Sequence, residues 1–161
     1  MLYLHDKSMV VVIGPPGSGK SHVGQLLAEQ SGLPLYSTDE FLNNGAVEAL
    51  YAVMQATGDE GFIIEGMVGY RWLRKRKQLR LPAPDIVIQL EASDAEIARS
   101  YEQRSKRVSL QRIKTFCRSH EKILDDYYIL DGDLPKVWVH GNSTAIAHLI
   151  EGGPAGAAPS D

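Results

Sequence analysis

Five short runs of apolar, mostly β-branched residues punctuate the chain: Met9–Ile13, Leu33–Tyr36, Phe62–Ile64, Ile86–Leu90 and Val137–Val139. They are compact runs more than long alternations, the pattern of strands buried on both faces. Between them the apolar positions recur at helical spacing. Val23, Leu26, Leu27 and Gln30 share one face of a first helix, and Gly32 supplies its stop. Val47, Leu50, Tyr51 and Met54 line a second helix. After the fourth run, Ser93 or Asp94 is placed to cap a helix containing Ile97 and Tyr101. A further helix carries Ile113, Phe116, Cys117, His120, Ile123, Leu124 and Tyr127, and a last one begins near Ser143 and packs Ile146, Leu149 and Ile150. Strand and helix in alternation predict an α/β domain, a parallel sheet with helices on both faces. A single domain is expected over residues 1–150. The tail, residues 151–161, has little to bury and is expected to be disordered.

Between the first run and the first helix lies Gly14-Pro15-Pro16-Gly17-Ser18-Gly19-Lys20-Ser21, which fits G-x-x-x-x-G-K-[ST] at every position. Each residue type has a physical reason. Glycines let successive backbone N–H groups turn toward one point and form an anion nest. The helix N-terminus adds its positive dipole end. Lys20 is a mobile point charge that reaches the β- and γ-phosphates, and the Ser21 hydroxyl is placed to ligate Mg²⁺. The spacing therefore predicts a loop that holds the phosphates of ATP with Mg²⁺.

Composition narrows the picture without changing it. With 161 residues, 43% hydrophobic and 23% charged, the chain can bury a core of its own. No apolar run approaches the roughly 18 residues that cross a bilayer, so no membrane partner is expected. Cys117 is the single cysteine, which points to a reducing compartment, the cytoplasm. The net charge of −3 conceals an asymmetry: residues 71–118 hold 13 of the 17 Lys and Arg but 5 of the 20 acids. That middle third can attract a polyanion that the whole-chain charge would not suggest.

The loop, Ser37-Thr38-Asp39 after the second run, Ile64-Glu65-Gly66 after the third and the Arg-rich segment after the fourth together resemble the small P-loop kinases. A GTPase would need Asn-Lys-x-Asp to read guanine, and no Asn-Lys pair occurs. The resemblance covers residues 9–150. It implies a five-stranded parallel sheet ordered 2-3-1-4-5, ATP on the loop, and an acceptor across a cleft under an Arg-bearing lid. Asp39 would orient or deprotonate the acceptor hydroxyl, or hold Mg²⁺ through water; a helix N-cap ahead of Phe41 and Leu42 is its structural alternative, and both can hold at once. Glu65 stands where the family usually carries Asp. It would hold water on Mg²⁺ or bind the acceptor, and its structural alternative is a solvated strand end. Arg99 would stack on adenine, and Arg104 or Arg107 would neutralise the transferring phosphoryl group. The alternative for any single arginine is a solvated helix face.

The acceptor is read from Arg71, Arg74, Lys75, Arg76, Lys77 and Arg80, with Trp72 among them. Arg71, Arg74 and Lys75 share a helical face. Six positive charges exceed what one nucleoside monophosphate needs and suit nucleic-acid phosphates, with an aromatic to stack on a base. One branch of the resembled family, the bacteriophage kinases of 5-hydroxymethyluracil in DNA, joins a short chain to basic lips around the cleft. The resemblance thus implies an ATP-dependent kinase of a hydroxymethylated base in DNA, working in a host cytoplasm if phage-encoded. A free nucleoside, nucleotide or metabolite kinase is the alternative, and a non-catalytic ATP-binding module is the alternative of another class. Resemblance to the shikimate kinases fails at their Gly-rich acceptor segment, since Glu65-Gly66-Met67 has no glycine run.

Overall fold

A computed structural model describes residues 4, 7–15, 17–37, 46–56, 60–66, 84–103 and 137–152. The elements run in the order β1 (Met9–Ile13), α1 (Lys20–Ser31), β2 (Leu35–Ser37), α2 (Ala46–Ala56), β3 (Phe62–Glu65), β4 (Ile86–Leu90), α3 (Asp94–Gln103), β5 (Val137–Gly141) and α4 (Ser143–Ile150). The five strands form one sheet in the order β2-β3-β1-β4-β5, every neighbouring pair parallel. This is the order that the kinase resemblance implied. The expected helix over residues 113–127, with Cys117 and His120, and most of the tail lie outside the described residues.

Alternation along the strands sorts the core into two faces. Val10 and Val12 of β1, Ile63 of β3, and Ile86, Ile88 and Leu90 of β4 join Val23 and Leu27 of α1 and Ile146 and Ile150 of α4 in one buried cluster. Register builds that cluster, because Val10 faces both Ile63 and Ile86, and Val12 faces Ile88. The intervening residues Val11, Ile13, Ile64 and Val87 are also wholly buried, so the opposite face is covered as well. Both faces of the central strands are dry, which explains why those strands read as apolar runs without alternation.

The helix ends are set by local chemistry. α1 begins after Gly19 and stops at Gly32, whose left-handed φ of 75° lets its N–H reach the Ala28 carbonyl at 2.8 Å. α3 is capped by Ser93, not Asp94. The Ser93 hydroxyl accepts from the Glu96 N–H at 3.1 Å, while Glu96 accepts from the Ser93 N–H at 3.2 Å, a reciprocal capping box. α4 is capped by Asn142, whose side chain accepts from the Ala145 N–H at 2.8 Å.

Three strands and one helix face differ from the sequence reading. β2 begins at Leu35, because Pro34 precedes it and has no N–H to give to a ladder. β3 and β5 continue through Glu65 and Gly141, which pair with Val12 and Leu90 through backbone groups alone. Leu149 is 36% exposed instead of packed, leaving Ile146 and Ile150 as the buried face of α4.

Candidate active site: a phosphate loop over a buried carboxylate

The carboxyl ends of β1, β2 and β3 converge, and the loop of residues 14–19 rises from the end of β1 into α1. The Ser18 N–H donates to the Pro15 carbonyl at 3.2 Å, closing a turn inside the loop. Gly17 and Gly19 take left-handed φ values of 82° and 91°. Gly14 is required for space: a Cβ there would lie 2.5 Å from Ser18 Oγ and 3.0 Å from the Leu90 carbonyl oxygen. Gly19 is required twice over, since a Cβ would also lie 2.8 Å from Ser143 Cβ at the start of α4. Two helix N-termini therefore press on the same loop.

Lys20 Nζ folds back and donates to the Gly14 and Pro15 carbonyls, both at 3.0 Å. Its charge is thus held at the mouth of the loop. Ser18 Oγ is buried without a hydrogen-bond partner among the described residues. An unpaired buried hydroxyl is costly, and this one is closed off beneath the loop, against the Cα side of Gly14.

Glu65 lies below the loop. It is 2% exposed, which overturns the solvated strand end that its sequence position allowed. Its Oε1 accepts from Ser37 Oγ at 2.5 Å, and its two oxygens stand 3.5 and 3.4 Å from Ser21 Oγ. Burying a carboxylate is costly unless hydrogen bonds and opposite charge compensate it. The hydroxyls of Ser21 and Ser37 supply the first, and a divalent cation carried by the nucleotide would supply the second. The glycine nest, the Lys20 ammonium at its mouth and the Ser21–Glu65 pair together fit a Mg²⁺-bound triphosphate.

Of the residues singled out from the sequence, Gly14, Pro15, Gly17, Ser18, Gly19, Lys20 and Ser21 form the loop, and Glu65 joins them. Arg99 sits on the exposed face of α3, one turn from Glu96, and none of its described contacts reaches the loop. Pro16, Asp39, Arg71, Arg74 and Arg104 lie outside the described residues. Two participants were not assigned a role from sequence: Ser37, which binds Glu65 across the sheet, and Ser143, which abuts Gly19. No local spacing signals either, because one contact spans 28 residues and the other joins opposite ends of the chain.

Comparison with known proteins agrees with this geometry. Residues 16–66 match the shikimate kinase family model, which corrects the sequence reading: the missing glycine run after Glu65 does not remove that likeness. A shikimate kinase from Symbiobacterium thermophilum is 42% identical over 53 residues, 33% of this chain and 30% of that protein. Another, from Photobacterium profundum, is 27% identical over 124 residues, 66% of this chain and 70% of its own length. A deoxyadenosine kinase from M. mycoides, solved with dCMP and dCDP bound, superposes with a TM-score of 0.60 at 14% identity, covering 89% of this chain and 96% of that one. In loop, sheet order and fold the chain is similar to the small P-loop kinases. The likeness to shikimate and nucleoside kinases supports an ATP-dependent phosphotransferase that uses Mg²⁺ and acts on a hydroxyl. No helix among the described residues of this kinase is long and apolar enough to cross a membrane.

Proposed function

We propose that this kinase transfers the γ-phosphoryl group of Mg²⁺-bound ATP to an alcohol of a small molecule. The observation that carries the reading is the buried Glu65 carboxylate facing Ser21 beneath an intact phosphate loop. The names of the kinases it resembles, shikimate kinase and deoxyadenosine kinase, support a small acceptor.

The chain's own residues divide the work. The backbone N–H groups of Gly17 and Gly19 and the α1 N-terminus bind the phosphates. Lys20 exchanges its two carbonyl partners for phosphate oxygens, a trade of neutral for charge-assisted hydrogen bonds. Ser21 and Glu65 would hold the Mg²⁺, which screens the phosphate charge when bound. Asp39 positions the acceptor hydroxyl and accepts its proton; two residues of chain keep its Cα within roughly 7 Å of that of Ser37. The Mg²⁺ role assigned to Glu65 takes precedence over acceptor binding, because its oxygens face Ser21. Arg104, one residue beyond α3, is assigned to the transferring phosphoryl group, and Arg99 to adenine.

A second reading keeps the chemistry and changes the acceptor to a hydroxymethylated base in DNA. The basic run supports it: six Lys and Arg occur within residues 71–80. Five residues of chain tether Arg71 within roughly 18 Å of Gly66, at the end of β3 beside the site. Arg71 and Arg74 would then hold acceptor phosphates. Labelled ATP offered with shikimate, free nucleosides, ordinary DNA and 5-hydroxymethyluracil DNA decides between the two. Transfer to a free compound supports the first reading. Transfer to modified DNA, weakening steeply with salt, supports the second. ATP binding with no transfer to any acceptor would refute both and leave a nucleotide-binding module.

A further inference from the structure

We propose that Ser37 is a positioning residue, holding the Glu65 carboxylate in the orientation that presents it to Ser21 and to the nucleotide's divalent cation. The inference rests on the reading of residues 14–21 as a Mg²⁺–ATP site, and it adds a residue that the phosphate-loop motif does not contain.

Ser37 and Glu65 are the last residues of β2 and β3 and are direct partners in the parallel register. Their contact at 2.5 Å is at the short end for a hydroxyl donating to a carboxylate. The Ser21 contacts, at 3.4 and 3.5 Å, are longer than ordinary O–H···O bonds. The two hydroxyls are therefore unequal. Ser37 fixes the carboxylate, whereas Ser21 faces it while keeping its oxygen available to a cation.

The carboxylate is held from a second side. Its stem runs against the backbone of α1 at Gly24, where a Cβ would lie 3.2 Å from Glu65 Cγ and 3.3 Å from Glu65 Cβ. Gly24 admits the stem and Ser37 sets the head, so a side chain with three rotatable torsions is left with little freedom. Partners that orient a metal-facing carboxylate commonly matter to metal affinity nearly as much as the ligand itself.

The test measures Mg²⁺ dependence of nucleotide binding, independently of turnover. Titration calorimetry with a non-hydrolysable ATP analogue, repeated across Mg²⁺ concentrations, gives the Mg²⁺ midpoint. Ser37→Ala is expected to raise that midpoint roughly ten-fold or more, with analogue binding in the absence of Mg²⁺ unchanged. Ser37→Thr, which keeps a hydroxyl, is expected to restore it. In a Glu65→Gln background, Ser37→Ala is expected to add little, because its effect runs through the carboxylate. If Ser37→Ala fails to fold, Gly24→Ala perturbs the same stem from α1 and should move the midpoint the same way. A wild-type midpoint in Ser37→Ala, or an equal effect with and without Glu65, overturns the positioning role while leaving the Mg²⁺–ATP site standing. Analogue binding by the wild type that ignores Mg²⁺ overturns both.

Discussion

Gly19→Ala separates two demands on one residue. The first is conformational: φ is 91° and ψ is 26°, a left-handed geometry that costs a residue with a Cβ about 1–2 kcal/mol. The second is steric: the new Cβ would stand 2.8 Å from Ser143 Cβ, which is fixed to the first turn of α4 and cannot swing aside. Overpacking of this sort costs about 1–3 kcal/mol. Gly32→Ala is the control, because Gly32 also has a left-handed φ, 75°, but nothing lies within 4 Å of its Cβ position. Both variants gain similarly from a stiffer unfolded chain, so the comparison isolates the clash. At about 2–4 °C per kcal/mol for a chain of this size, Gly19→Ala should melt roughly 2–12 °C below Gly32→Ala. Thermal denaturation followed by circular dichroism measures the difference. Ser143→Gly alone should destabilise by about 0.5–1 kcal/mol, yet raise the melting temperature in the Gly19→Ala background by removing the opposing Cβ. Equal melting of the two alanine variants, or no relief from Ser143→Gly, would refute the account of α4 pressing on the loop.

Lys20→Ala removes the charge at the loop mouth and is expected to lower the phosphotransfer rate on the order of 10²-fold or more; single-turnover kinetics near wild type would sink its assignment. Ser18→Ala deletes a buried hydroxyl without a partner among the described residues, so thermal stability should hold or rise. Binding of an ATP analogue should stay near wild type, because the hydroxyl is closed off beneath the loop. A marked loss of thermal stability would refute the absence of a partner. The backbone N–H and then the hydroxyl of Ser93 hold the Glu96 carboxyl below its usual pKa. A depressed folded-state pKa means that this cap contributes fully above the unfolded value and is lost as pH falls through the folded one. An NMR titration should place the Glu96 midpoint below that of an ordinary glutamate, and Ser93→Ala should raise it. An unchanged midpoint in that variant would refute the hydroxyl's share and leave the backbone N–H, which alanine keeps, as the cause.

The sequence made legible whatever depends on neighbours in the chain. Met9–Ile13 and Ile86–Leu90 form strands with the bounds that their apolar runs mark, because they lie centrally and are dry on both faces. The stop at Gly32 and the phosphate loop were readable for the same reason: a left-handed turn and an anion nest each need particular residues at fixed local offsets. The strand ends were harder. Backbone groups carry the ladder through Glu65 and Gly141 regardless of side chain, so hydrophobicity stopped short of them.

Glu65 shows where local reading runs out, and why. Its type and position allow a solvated end, a cation-facing acid or an acceptor-binding group, and no feature within several residues separates these. The decision comes from Ser37 and Ser21, 28 and 44 residues away, and from the missing side chain at Gly24. These three reach Glu65 only because β3 lies between β2 and β1 while α1 crosses above. Sheet order, not spacing, therefore turns an ambiguous strand-end glutamate into a buried carboxylate aimed at a phosphate loop. The motif supplies the phosphate grip, whereas the topology supplies the acid beneath it.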